Sequence, residues 1–132
     1  MIDKQVASLA EAVAGVADGA TVMIGGYGTE LAKGKETRII DGCGQVFETP
    51  IPADVALIKA ERGDRWGNLT YRMTARNFGP VMAMAAKLTV ASVHEVVALG
   101  EIDPETVVTP GIFVQRIVKI ARQPTSGAGF KA

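Results

Sequence analysis

The chain places several groups of reactive side chains and bare backbone at spacings that have chemical meaning. Gly25-Gly26-Tyr27-Gly28 directly follows the apolar run Ala20-Thr21-Val22-Met23-Ile24. Glycines at a strand exit let a ligand approach the backbone closely and offer bare N–H groups to an anion. The plain alternative is a tight turn. No G-x-G-x-x-G occurs, and Gly34-Lys35 is followed by Glu36 rather than Ser or Thr, so neither nucleotide-binding fingerprint is present. A second group is Asp64, Arg65, Trp66, Asn68, Arg72, Arg76 and Asn77, a dense polar block between apolar segments. Planar guanidinium forks there suit a carboxylate or phosphate. Asp64, Trp66 and Asn68 read better as turn-forming residues, Asn77 as a possible helix cap, and Arg72 and Arg76 stay open between the two roles.

Other reactive types stand in contexts that do not mark them. Glu48, Glu61, Glu95, Glu101 and Glu105 have no second carboxylate at fixed spacing and read as solvated or turn residues. His94 lies in a strand-like run without a partner motif. Cys43 falls in a hairpin turn with no adjacent histidine or lysine, so it reads as incidental. One histidine and one cysteine exclude an internal disulfide and a histidine-rich zinc centre. We therefore expect no metal site and no catalytic residue recognisable from spacing alone.

The elements that must position these groups alternate between helix and strand. Asp3 to Val16 has Val6, Leu9, Val13 and Val16 on one helical face, which predicts an amphipathic helix. Asp18-Gly19 breaks it, and Ala20–Ile24 reads as a buried strand. Thr37–Ile40 and Gln45–Glu48 flank Asp41-Gly42-Cys43-Gly44 as a β-hairpin. Ala53–Lys59 is a strand, Arg62–Asn68 a polar loop, and Leu69–Tyr71 a short strand. Pro80 opens a helix through Lys87. Leu88–Leu99 reads as one or two strands, Asp103-Pro104 and Thr109-Pro110-Gly111 as turns, and Ile112–Ile120 as a last strand. This order predicts an α/β fold.

With 132 residues the chain fits a single domain. Fourteen basic residues balance fourteen acidic ones, which argues against a nucleic-acid binder. The N-terminus shows no secretory signal pattern, and the longest apolar stretch, Pro80 to Ala86, is too short to cross a membrane. A cytoplasmic location is expected.

Longer strings carry a resemblance. Asp18–Tyr27, Gly34–Arg38, Ala53–Ala60, Gly63–Arg72, Thr74–Pro80, Gly100–Glu105 and Val108–Arg116 resemble segments of the A-type subunit of the family I CoA-transferases, and together they span nearly everything from Met1 to Ile120. Arg65–Arg72 is most similar to the branch acting on 3-oxoadipate, with the acetoacetate type next.

The resemblance implies an α/β fold: a single open-sheet domain of the CoA-transferase type over residues 1–121, while the Pro, Ser and small residues of 122–132 read as a flexible tail. It implies a hetero-oligomer with the B-type CoA-transferase subunit, moving CoA from succinyl-CoA to a 3-oxoacid in aromatic-compound or ketone-body catabolism. Coenzyme A thioester is then a substrate, and no cofactor is held permanently. The family's nucleophilic glutamate belongs to the B-type subunit in a Glu-Asn-Gly context, which does not occur in this chain. No catalytic residue is therefore assigned to this chain, and Ile24, Gly25, Gly26, Tyr27 and Gly28 are the expected CoA-binding residues.

One departure stands out. Tyr27-Gly28-Thr29 runs within a few residues into Gly34-Lys35-Glu36, a juncture that in the family follows much later. Two family segments meet near Gly25–Gly28, and the central strand–helix units, with residues that meet the oxoacid, are lacking. The alternative function is a remnant that keeps subunit pairing without turnover.

Overall fold

The computed structural model describes residues 2–24, 34–47 and 50–122. Among them, β1 (Gln5–Val6), β2 (Val22–Ile24), β5 (Ala53–Asp64), β6 (Leu69–Thr70), β7 (Ala86–Val97) and β8 (Arg116–Lys119) form one sheet, and β3 (Thr37–Ile40) pairs only with β4 (Cys43–Val46). The large sheet runs β1-β8-β7-β5-β2, parallel throughout, with β6 added antiparallel to β5. This is the mostly parallel open sheet expected of the fold class.

β5 and β7 are its centre, in register from Ala53 opposite Ala86 to Asp64 opposite Val97. Parallel strands need cover on both faces, and the residue types show how each face obtains it. Ala56, Ile58 and Ala60 on β5 with Ala91 and Val93 on β7 form one buried surface, on which Met82 and Ala83 of α2 (Gly79–Ala85) pack together with Leu69, Tyr71, Val114 and Ile117. Small alanines on the strand let the helix approach closely. The opposite face buries Val90 and Val118 under Ala12 of α1 (Leu9–Ala12), with Val6, Leu57 and Leu88 packed against them.

Several boundaries differ from the sequence expectation. The helix over Asp3 to Val16 is replaced by β1 and a four-residue α1. Ser8 Oγ accepts the Glu11 N–H, and Glu11 reaches back to the Ala7 N–H. This Ser-x-x-Glu cap starts the helix at Leu9, and Val6 is left to pair with Val118. α2 ends at Ala85 because Ala86 already has strand geometry, so β7 is one strand over Ala86–Val97. β5 continues to Asp64, leaving only a short turn where a loop over Arg62–Asn68 is expected. Ile112–Ile120 resolves into a 3-10 turn, Gly111–Phe113, followed by β8. The hairpin forms with a two-residue turn at Asp41 (φ 50°) and Gly42 (φ 79°). Cys43 is therefore the first residue of β4, not part of the turn. Residues 123–132, most of the expected tail, lie outside the described residues.

Asp54 ties three strand starts together. Its carboxylate accepts the Thr21 N–H at 3.1 Å and the Lys87 ammonium at 2.9 Å. The bond from Lys87, and next the one from Thr21, hold its pKa below the ordinary value of 3.8. A carboxylate depressed in the folded state stabilises it above the ordinary pKa, and that contribution disappears as pH falls through the lower folded value. The expected result is a melting-temperature gap between wild type and Asp54→Asn that is constant near neutrality and closes as the pH is lowered below about 3.8, followed by circular dichroism. A gap that stays constant into the acid range would show that the carboxylate charge is not what joins these strands.

Candidate functional site

In open α/β sheets, ligands bind beyond the carboxyl ends of the strands. β2 ends there at Ile24, on the sheet edge opposite Leu57 and 70% exposed. Of the expected CoA-binding residues only Ile24 is described. Gly25, Gly26, Tyr27 and Gly28 lie outside the described residues, as does Glu48.

The second sequence candidate emerges as a built surface at Arg72–Phe78, the link between β6 and α2. It is fixed at both ends. Before it, Tyr71 is buried with its hydroxyl 2.7 Å from Thr109 Oγ1, and burial raises its pKa while that hydrogen bond partly opposes the rise. After it, Gly79 abuts the same ring: a Cβ there would stand 2.7 Å from Tyr71 Cε1. Between these points Met73 takes φ 54°, a left-handed conformation costly for a side-chain-bearing residue, and a 3-10 turn spans Met73–Arg76.

The consequence is an outward display of Arg72, Arg76 and Asn77, all exposed. Neither arginine has an ion pair or side-chain hydrogen bond among the described residues. Two guanidiniums left open on a constrained turn can receive a carboxylate or a phosphate. Asn77 does not cap α2. Phe78 holds the cap position, without a side-chain cap bond.

Asp64, Trp66 and Asn68 take structural roles. Asp64 is buried at the end of β5, and its carboxylate accepts the N–H groups of Trp66 and Asn68 at 2.9 and 3.1 Å and the Asn68 side-chain amide at 2.9 Å. Asn68 Oδ1 in turn accepts the Gly111 N–H at 3.0 Å, and the Lys4 ammonium donates to the Gly111 carbonyl at 2.6 Å. Partial burial lowers the Lys4 pKa, and the charge of Asp64 works against that shift. Replacing Asp64 with Ala orphans three donors at once. The expected loss is about 3 kcal/mol of unfolding free energy, read from urea titration of Trp66 fluorescence. A change below about 0.5 kcal/mol, the usual range for plain surface substitutions, would contradict this role.

The remaining candidates are dispersed. Glu61 pairs with Arg122, Arg62 with Glu95 at 3.2 Å, and Glu101 accepts the Ala98 N–H. The Glu105 N–H is held by Asp103, which caps a 3-10 turn over Pro104–Thr106. His94 is half-buried in β7, and its Nδ1 has no hydrogen-bond partner among the described residues. Cys43 is exposed. No three His, Cys, Asp or Glu side chains come together as a metal site among the described residues. A cleft of about 360 Å³ between α1 and the sheet is almost wholly apolar, lined by Leu9, Val13, Leu57 and Val118 among others. It offers no charged group to an anion. What sequence reasoning missed is the left-handed Met73 and the Tyr71–Thr109 bond, which fix how Arg72 and Arg76 are displayed. Neither has a local sequence signal.

The open, mostly parallel sheet agrees with what known proteins share with this chain. The chain belongs to the coenzyme A transferase family, whose family model matches residues 26–120. It is 64% identical over 110 residues to the A-type subunit of 3-oxoadipate CoA-transferase from Pseudomonas putida, covering 83% of this chain and 48% of the relative. To the corresponding 3-oxoadipate CoA-transferase subunit from Acinetobacter baylyi it is 65% identical over 103 residues, covering 78% and 45%. To the A-type subunit of succinyl-CoA:3-ketoacid coenzyme A transferase from Xanthomonas campestris pv. campestris it is 58% identical over 93 residues, covering 70% and 38%.

The chain thus spans about half the length, or less, of the curated relatives it matches. Among solved structures, a variant of the decarboxylase AibA/AibB superposes with a TM-score of 0.54 at 30% identity, covering 74% of this chain and 37% of that one. An acyl-CoA transferase from E. coli O157:H7 has a TM-score of 0.57 at 21% identity, covering 67% and 18%, and shares the fold. No helix among the described residues is long and apolar enough to cross a membrane.

Proposed function

We propose that this chain works as the A-type component of a two-chain CoA-transferase that moves CoA from succinyl-CoA to a 3-oxoacid, with 3-oxoadipate as the foremost acceptor. The observation that carries the reading is the identity of 64–65% to two 3-oxoadipate CoA-transferase subunits, against 58% to a succinyl-CoA:3-ketoacid one. The chemistry itself belongs to the partner. A glutamate carboxylate of the B-type subunit attacks the succinyl-CoA carbonyl and expels CoA thiolate, leaving a mixed anhydride. The thiolate then attacks the glutamyl carbonyl, releasing succinate and forming a glutamyl thioester. The 3-oxoacid carboxylate collects CoA by the same two steps in reverse. Splitting the transfer in this way keeps the CoA on the enzyme between half-reactions.

In this reading the present chain binds. Arg72 and Arg76 receive anionic groups of CoA or of the acid, and Ile24, Gly25, Gly26, Tyr27 and Gly28 are the CoA-binding residues of this reading. The setting is the cytoplasm, the pathway class is breakdown of aromatic compounds, and the working form is a hetero-oligomer with the B-type subunit.

The test is a thioester-transfer assay with the purified chain, the B-type subunit of the Pseudomonas putida 3-oxoadipate CoA-transferase, succinyl-CoA, and either 3-oxoadipate or acetoacetate. Transfer is expected only with both chains present and faster to 3-oxoadipate. A chain that co-elutes with its partner yet transfers nothing to either acid would instead be a pairing remnant, a reading that the high identity weighs against.

A further inference from the structure

Among the described residues, no other element pairs with the ribbon of β3 and β4. All eight of its strand residues are exposed, Ile39 to 81%. Val46 is among them, and Phe47, just beyond β4, adds further exposed apolar surface. An isolated two-stranded hairpin is at best marginal in water, and three or more strands are needed for independent stability. We propose that the ribbon is a self-association edge, with β3 of one copy pairing antiparallel to β3 of a second copy about a twofold axis at Thr37.

The backbone fixes which residues can pair. The Phe47 N–H donates to the Glu36 carbonyl at 2.8 Å, so the polar backbone groups of Glu36 face β4. Because these groups alternate along a strand, those of Arg38 and Ile40 also face inward, and those of Thr37 and Ile39 face outward. A twofold contact through this edge has three registers, centred on Thr37, Arg38 or Ile39. Centring on Arg38 sets two guanidiniums directly opposite each other, which is unfavourable. Centring on Ile39 puts Arg38 against Ile40 and runs Thr37 into the turn residue Asp41.

Centring on Thr37 sets opposite charges across from each other. The two Thr37 residues exchange N–H···O bonds, and Glu36 of each copy falls opposite Arg38 of the other. That pair occupies the non-hydrogen-bonded position, where side chains approach closest. Opposite charges and paired threonines are both favourable across strands. Within one copy Arg38 lies 3.7 Å over the Phe47 ring and pairs with its own Glu36 at 2.6 Å, so the cross-strand contact joins two such pairs into one cluster of four alternating charges. The product is a four-stranded antiparallel sheet, β4-β3-β3-β4, made by one self-complementary patch.

Sedimentation of the full chain tests this. Wild type is expected to dimerise at high micromolar concentration. Thr37→Pro removes an outward N–H that the ribbon itself does not use, and should give a monomer with an unchanged circular dichroism spectrum. Glu36→Arg and Arg38→Glu should each weaken the dimer at least tenfold, and the double exchange should restore it. As a check that does not depend on the proline variant folding, Thr37→Cys in a Cys43→Ser background should cross-link on mild oxidation, because a hydrogen-bonded pair holds its Cα atoms about 5.5 Å apart, within disulfide reach. A monomeric wild type overturns the proposal. So does a dimer that ignores Thr37→Pro and fails to cross-link, or a ribbon that pairs only with a different protein.

Discussion

Gly111→Ala should cost about 3 kcal/mol of stability and lower the melting temperature by about 10 °C. An added Cβ would lie well inside 3.0 Å of the Trp66 carbonyl oxygen, 3.0 Å from its carbon and 3.2 Å from the Gly67 carbonyl carbon. These are backbone atoms and cannot swing aside as a side-chain tip can. They are also held in place, Trp66 and Asn68 by Asp64 and Gly111 by Asn68 and Lys4. Gly100→Ala is the contrasting case. Gly100 has φ 88° with nothing within 4 Å of an added Cβ, so only backbone strain is incurred, about 1 kcal/mol. Thermal melts of the two variants should separate clearly. Equal shifts would mean that the Trp66–Gly111 contact is looser than its geometry indicates.

The second large effect concerns activity. Under the proposed function, replacing Arg72 and Arg76 together with Ala should reduce kcat/KM for CoA transfer by about 100-fold, as expected for losing two charge-assisted contacts to an anion. Stability should hardly change, since both side chains are exposed and without partners among the described residues. The corresponding double lysine variant keeps the charge but not the planar fork, and should fall between wild type and the alanine form. Full activity in the alanine variant, assayed with the B-type subunit, would remove these arginines from the binding surface. A matching loss of melting temperature would instead give them a structural role.

What the sequence revealed about the fold was local in origin. Asp41-Gly42 announces its turn because two adjacent residues tolerate positive φ. The apolar runs at Ala53 and Leu88 mark buried strands, and Pro80 marks a helix start. The N-terminus misled because Val6, Leu9 and Val13 keep helical spacing across a cap. Ser8 and Glu11 carry the local signal that begins the helix at Leu9, but the pairing of β1 with β8 joins residues more than a hundred positions apart.

The same limit applies to the candidate site. Arginines in a polar block could be picked out by type, whereas their outward display depends on Thr109 and Gly79 holding Tyr71 from distant and near parts of the chain. The residue types of Asp64, Trp66 and Asn68 mark a structural knot. Its full reach, to Gly111 and Lys4, emerged only from the fold.

The most direct test of the proposed function is to trap the covalent intermediate. The chain, the B-type subunit and succinyl-CoA would be mixed without an acceptor acid, quenched in acid, and each polypeptide weighed by mass spectrometry. A glutamyl-CoA thioester should appear on the partner only when this chain is present, and should vanish when 3-oxoadipate is added. A stable complex of the two chains in which the partner never acquires CoA would contradict the reading.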